Sequence, residues 1–97
     1  MMETLFPLGQ ILATPGVLAA LEEAGSNPLI WIFRHAAGDW GTLSADDMKA
    51  NSQALKDGSR ILSAYLLSTG VKIWVITEAE DENGNRVSTT LLRADEY

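Results

Sequence analysis

The chain contains no cysteine and only one histidine, His35. Without thiols there is neither a disulfide framework nor a thiolate metal site, and one imidazole is too few for a structural zinc site. Neither a metal nor a cofactor is therefore expected. No apolar run approaches the roughly 20 residues that a membrane span requires. An export signal needs a basic region ahead of an apolar stretch, whereas "MMETLFPLGQ" opens with an acid and soon meets Pro7. A cytoplasmic protein without a membrane partner is the expectation. Cations are scarce as well: seven Lys and Arg stand against thirteen Asp and Glu, a net charge of -6. Those seven (Arg34, Lys49, Lys56, Arg60, Lys72, Arg86 and Arg93) are scattered singly, so a phosphate backbone would meet a repulsive field and nucleic acid is not an expected partner. There is no glycine-rich phosphate loop and no G-x-S-x-G elbow, which removes the commonest nucleotide-binding and serine-hydrolase signatures.

The residues that are present describe one domain, 1–97, with a helical first half. In "ATPGVLAALEEAG" Thr14 is an N-cap, Pro15 takes the first helical position, Val17, Leu18 and Leu21 share a face, and Gly25 supplies the stop. "SNPLIWIFRHAAG" repeats the design with Asn27, Pro28 and Gly38. Its helical spacing predicts a buried stripe of Leu29, Ile32, Phe33 and Ala36, with Trp31 and His35 on the flank. A third helix opens at Ser44, with Asp47 three positions on, turns Met48, Asn51 and Leu55 inward, and stops at Gly58. Ahead of all three, "LGQILAT" reads as a possible short strand. The second half changes period: "RILSAYLLS", "VKIWVITEA" and "RVSTTLLR" read as three strands divided by "STG" and "DENGN". The expected fold is α+β, the helices packed on one face of a three-stranded antiparallel meander.

Register follows from the turns. With Asn83-Gly84 as a two-residue loop, Glu78 lies opposite Thr89 and Ile76 opposite Leu91; with Thr69-Gly70 as the other loop, Tyr65 lies opposite Trp74. Alternation then gives the helices the face carrying Leu62, Ala64, Ile73 and Val75. Tyr65, Trp74, Ile76, Glu78, Thr89, Leu91 and Arg93 remain on the other face, together with Ile61 and Ser63. That mixed apolar surface is expected to be a homodimer interface, a binding cleft, or a face covered by the N-terminal "LFPLGQIL".

The stretch "FRHAAGDWG" gathers a polar corner, Arg34, His35 and Asp39, with Arg60 expected to join it. Cations in a last helical turn are favoured by the carbonyl end, so Arg34 and His35 have a structural reason to be there. Asp39 can cap the exit turn or pair with Arg34, while Trp40 plugs the turn onto the sheet. If the chain is instead an enzyme, a metal-independent ribonuclease is the form it would take, with Glu78, His35, Arg93 and Tyr65 as its candidate residues. The order of helices before a meander resembles the broad group of barnase, colicin nucleases and RelE-type toxins at the level of fold, and that resemblance implies Glu78 as the base and Arg60 or Arg93 as the phosphate-binding residue.

A closer resemblance runs through "LGQILATPGVLAALEEAG", "RHAAGDWG", "SQALKDGSRILSAYLL", "KIWVITEAEDENGNRVSTTLL" and the final Glu96-Tyr97. These strings resemble a family of short bacterial proteins labelled plasmid-related or hypothetical, sometimes with a restriction-subunit name that a chain this short cannot support. The resemblance implies a prokaryotic cytosol and mobile elements, and implies no activity. The expectation is a non-enzymatic acidic binding or self-assembling protein, with a homodimer through the outer sheet face. A basic protein partner could be met by Glu78, Glu80, Asp81, Glu82, Asp46 and Asp47. The alternative is the small ribonuclease or toxin-like enzyme.

Overall fold

Three side chains begin three helices. In the computed structural model, which describes residues 4–97, Thr14 Oγ1 accepts from the Val17 amide at 3.1 Å, Asn27 Oδ1 from Leu29 at 2.9 Å and Ser44 Oγ from Asp47 at 3.2 Å. Helices α1 (Pro15–Glu23), α2 (Pro28–Ala36) and α3 (Ala45–Asp57) follow, the first two with proline in the opening turn. Each cap meets a donor that the helix leaves without an internal partner.

The fold is α+β, and its sheet is mixed and four-stranded. Strands β1 (Gln10–Ala13), β2 (Ile61–Leu66), β3 (Lys72–Thr77) and β4 (Ser88–Arg93) lie in the order β1-β4-β3-β2. β2, β3 and β4 form the antiparallel meander, and the short N-terminal strand joins β4 in parallel, with Gln10 beside Ser88 and Ala13 beside Leu91. A parallel neighbour needs a long crossover, and here the three helices and two strands between β1 and β4 supply it.

Both hairpins are one residue longer than their sequences suggest. The Gly70 and Val71 ends close on Leu67, leaving Ser68, Thr69 and Gly70 as a three-residue loop. At the other turn Asp81 N–H donates to Asn85 O at 2.8 Å, and its Oδ1 accepts from the amides of Asn83 and Asn85 at 2.9 and 3.0 Å. Gly84 takes the left-handed position, φ 77°, as a three-residue hairpin loop requires. The ladder therefore pairs Tyr65 with Ile73, Ser63 with Val75, Thr77 with Thr89 and Val75 with Leu91. Relative to β3, both neighbours are shifted by one position, and each is turned over. Tyr65, Thr89 and Leu91, expected on the open face, instead lie beneath the helices with Ile61 and Ser63. Arg93 falls beside Ile73 at the end of β4. Trp74, Ile76 and Glu78 keep the outer face.

The core sits between the odd-numbered face and the helices. One cluster joins Val17, Ala20, Leu21 and Ile32 to Tyr65, Ile73, Val75 and Leu91; a second joins Phe6, Trp40 and Ala54 to Ile61, with Leu8 touching both. The segment before β1 therefore packs on the helical side and leaves the outer face alone. α2 is also rotated from the expected stripe. Ile32, His35 and Ala36 are buried, while Leu29 and Phe33 are 47% and 41% exposed. His35 is core, not flank. In a helix apolar on nearly every side, periodicity does not select which stripe goes in.

Two polar side chains fasten α3. Asn51 uses its amide as a strand would, donating to Leu62 O at 2.6 Å and accepting from Leu62 N at 3.1 Å. Farther along the same edge Thr42 N–H donates to Ala64 O at 2.7 Å and Ala64 N–H to Trp40 O at 3.1 Å. Gly41 sits between them, where a Cβ would collide with the Ala64 carbonyl. Arg86, buried, donates to the carbonyls of Ser59, Glu78 and Ala54 at 2.8, 3.0 and 3.1 Å. It places a cation at the carbonyl end of α3, where the helix dipole favours one.

Candidate functional site

Phe6 closes over a chain of hydroxyls that has His35 at its centre. Thr89 Oγ1 donates to Leu8 O at 2.7 Å, Thr77 and Thr89 hydroxyls are 2.6 Å apart, His35 Nε2 is 2.9 Å from Thr77 Oγ1, and Nδ1 is 2.6 Å from Ser63 Oγ. A hydroxyl has one proton to give. Thr89 gives its proton to a carbonyl that can only accept, so Thr77 must donate to Thr89, His35 Nε2–H to Thr77, and Ser63 to Nδ1. The far end thus sets the tautomer through the whole row. His35, Ser63, Thr77 and Thr89 are each 0% exposed, and no buried side-chain polar atom among the described residues lacks a partner. Burial lowers the pKa of His35 to about 4, because a charged imidazole would lose its hydration there. The Ser63–His35 contact has the spacing of a nucleophile and its base. However, the imidazole is a weak base, and Phe6 and Trp40 stand edge-on to its ring at 5.2 and 6.0 Å.

On the other side of α2 the polar corner forms without His35. Arg34 Nε reaches Asp39 Oδ2 at 2.6 Å, and Asp39 Oδ1 accepts from the Gly41 amide at 3.2 Å. Asp39 thus both pairs with Arg34 and caps the turn. Hydrogen bonding within the pair raises the Arg34 pKa and holds Asp39 below the usual carboxylate range. Arg34 lies over the rings of Trp31 and Tyr65, 5.0 and 4.8 Å from their centroids. The Tyr65 hydroxyl donates to Asp39 O at 2.6 Å, and burial pushes its pKa up to about 12. The arrangement fastens the helix exit to β2. Both ions are over two-fifths exposed, so the pair itself contributes little.

The third cluster lies on the open face of the sheet. Tyr97 packs on Trp74 with ring centroids 5.2 Å apart, and Arg60 sits over the Tyr97 ring at 5.6 Å while donating to its hydroxyl. Arg60 is therefore on the outer side and does not approach the polar corner. Around this cluster lie Leu12, Leu62, Ala64 and Leu66, with Ile76 and Leu92 buried between them and Lys72 beside Leu66.

The four residues proposed for an enzyme are not brought together. His35 and Tyr65 are buried, each with its polar atoms engaged. Glu78 is exposed beside Ser88, and Arg93 lies five residues farther along β4, about 17 Å away at the usual rise per residue. Arg93 borders a cleft of about 320 Å³ beside Lys72 and holds Asp95 through two bonds of 3.0 and 2.9 Å. No group of three or more potential metal ligands occurs among the described residues, and no helix is long and apolar enough to cross a membrane. Sequence reasoning missed Ser63, Thr77 and Arg86 as partners in the interior. The one visible signal of the two hydroxyls is a small hydroxyl recurring in each of the three meander strands, and Arg86 has none. Comparison with known proteins gives no matching family model, no matching curated protein and no matching solved structure.

Proposed function

We propose that the chain is a non-enzymatic binding protein that self-assembles through the open face of its sheet, as a homodimer. One observation carries the reading: three helices cover one face only, and the other keeps Leu66 55% and Leu12 41% exposed around Trp74. Tyr97, the cover over Trp74, is itself 66% exposed. An open apolar patch of several hundred Å² on a small domain marks a surface that binds. The working residues of this face are Trp74, Leu12, Leu66 and Tyr97. A basic protein partner fits the same reading, because Glu78, Glu80 and Glu82 are exposed at the hairpin, whereas Asp81 is committed to the turn. A cytoplasmic, mobile-element setting and membership of the short plasmid-related bacterial family belong to this proposal as well.

Light scattering tests it. At tens of micromolar the protein should show more than one subunit mass, and Trp74→Asp should lower that mass, with Leu66→Asp as a second variant should the first fail to fold. One subunit mass for the unaltered protein overturns the proposal.

A further inference from the structure

The sheet has two edges, and they are treated differently. Along β2 the Asn51 amide and the Trp40–Thr42 backbone occupy the outward peptide groups of Leu62 and Ala64. Along β1 nothing does among the described residues. Gln10 N–H donates to Val87 O and Thr14 N–H to Leu91 O, both at 3.0 Å. Donors recur at every second residue of a parallel ladder, so Gln10, Leu12 and Thr14 face β4, while Ile11 and Ala13 turn N–H and C=O outward. β1 is the terminal strand of the sheet, so no strand lies on that side of it. The strand is exposed along its whole length, with Ile11 at 47%. It carries no charge and no proline, and among the described residues no bulge or covering segment protects it. Of the devices by which proteins keep an edge strand single, β1 has only its shortness.

We infer that β1 pairs antiparallel with β1 of a second copy about a two-fold axis at Leu12, joining two sheets into one of eight strands. This rests on the self-assembly reading above and adds a second interface to it. Three observations select a second copy as the occupant. First, the outward residues are self-complementary: Ile11 meets Ala13 of the copy and Ala13 meets its Ile11, each pair exchanging both backbone hydrogen bonds, large against small. Second, β1 has no acid or base, so the copies meet without like charges at the seam although each chain carries -6. A foreign basic strand would find no carboxylate in β1 to pair with. Third, the acidic hairpin lies beyond the Gln10 end of the sheet, since Gln10 is beside Ser88 and Glu78 bonds Ser88. An antiparallel two-fold sends the two acidic tips to opposite ends of the joint sheet.

The strand is only four residues long, so the buried area falls below the roughly 800 Å² per partner of a standard interface and the pairing is weak and concentration-dependent. Together with pairing through the open face, two perpendicular two-fold axes give a tetramer.

The experiment separates the two interfaces. In Trp74→Asp, whose altered side chain is two strands from β1, light scattering at tens of micromolar should still read two subunit masses. Adding Ile11→Pro should reduce this to one, because proline removes the outward N–H and leaves the bonds of Gln10 and Leu12 to β4 intact. Amide exchange of the unaltered protein needs no variant: the Ile11 and Ala13 amides should slow as concentration rises. Trp74→Asp at one subunit mass, a double variant still at two, or Ile11 and Ala13 exchange independent of concentration overturns the inference. A loss of all association in Trp74→Asp sinks the edge and spares the face; association kept in Trp74→Asp and lost in Ile11→Pro sinks the face and spares the edge.

Discussion

Acidification from pH 7 to pH 4 should remove about 3 kcal/mol of folding stability through His35 alone. Its pKa is 6.5 in an ordinary setting and about 4 in the folded protein, and each unit is worth about 1.36 kcal/mol. Above pH 6.5 the imidazole is neutral in both states and contributes nothing to the pH dependence. Between 6.5 and 4 the unfolded chain takes up a proton that the folded chain refuses, so stability falls as pH falls. Below the folded value both states are protonated and the loss is complete. Against the roughly 5–15 kcal/mol available to a domain of this kind, this is a large fraction. Asp39 and Asp57, both depressed below their usual value of 3.8, also lose stabilisation in acid. Their window lies beneath that of His35, so the two contributions separate on the pH axis. The assay is urea unfolding followed by tryptophan fluorescence at several values between pH 7 and pH 4, beside His35→Gln. Glutamine keeps one donor for Thr77 and one acceptor for Ser63 and cannot titrate, so its profile should be flat where that of the unaltered protein falls. An imidazole proton resonance with a midpoint near 6.5, or an equal decline in His35→Gln, would refute the reasoning.

Two further changes test how α3 is held. Arg86→Met leaves the Ala54, Ser59 and Glu78 carbonyls without their buried donor; at about 1–3 kcal/mol for each unmet acceptor, softened by water that enters, the net loss in chemical denaturation should be about 3 kcal/mol. Arg86→Lys should recover only part of this, because one ammonium cannot span carbonyls that two guanidinium nitrogens reach. Asn51→Ala should lose about 1–2 kcal/mol for the two bonds to Leu62. Asn51→Asp should lose more, since it sets a carboxylate oxygen against the Leu62 carbonyl. Equal denaturation midpoints for the two variants would contradict the paired geometry.

What was legible depended on whether a residue's signal was local. Thr14, Asn27 and Ser44 act within their own first turns, and all three helices begin where these residues place them. The strands declared themselves by composition, and "LGQILAT" by its apolar run, yet nothing in that run said that β1 would lie parallel to β4. The register was less accessible because Asn83-Gly84 suits a two-residue loop and a three-residue one equally. The decision rests with Asp81, whose carboxylate binds the Asn83 and Asn85 amides and draws in one more residue. The rotation of α2 was hidden for a related reason: "LIWIF" offers an apolar side chain in almost every direction, and only the hydroxyls of Ser63 and Thr77, distant in sequence, reward turning His35 inward. These misreadings did not spread evenly. One extra residue in each loop turned over β2 and β4, the strands beyond the loops, and left the central strand unmoved. Trp74 and Ile76 therefore face outward in either register, whereas Tyr65, Thr89 and Leu91 change sides with the loop length. A binding surface argued from β3 survives the slip, and one argued from Tyr65 does not.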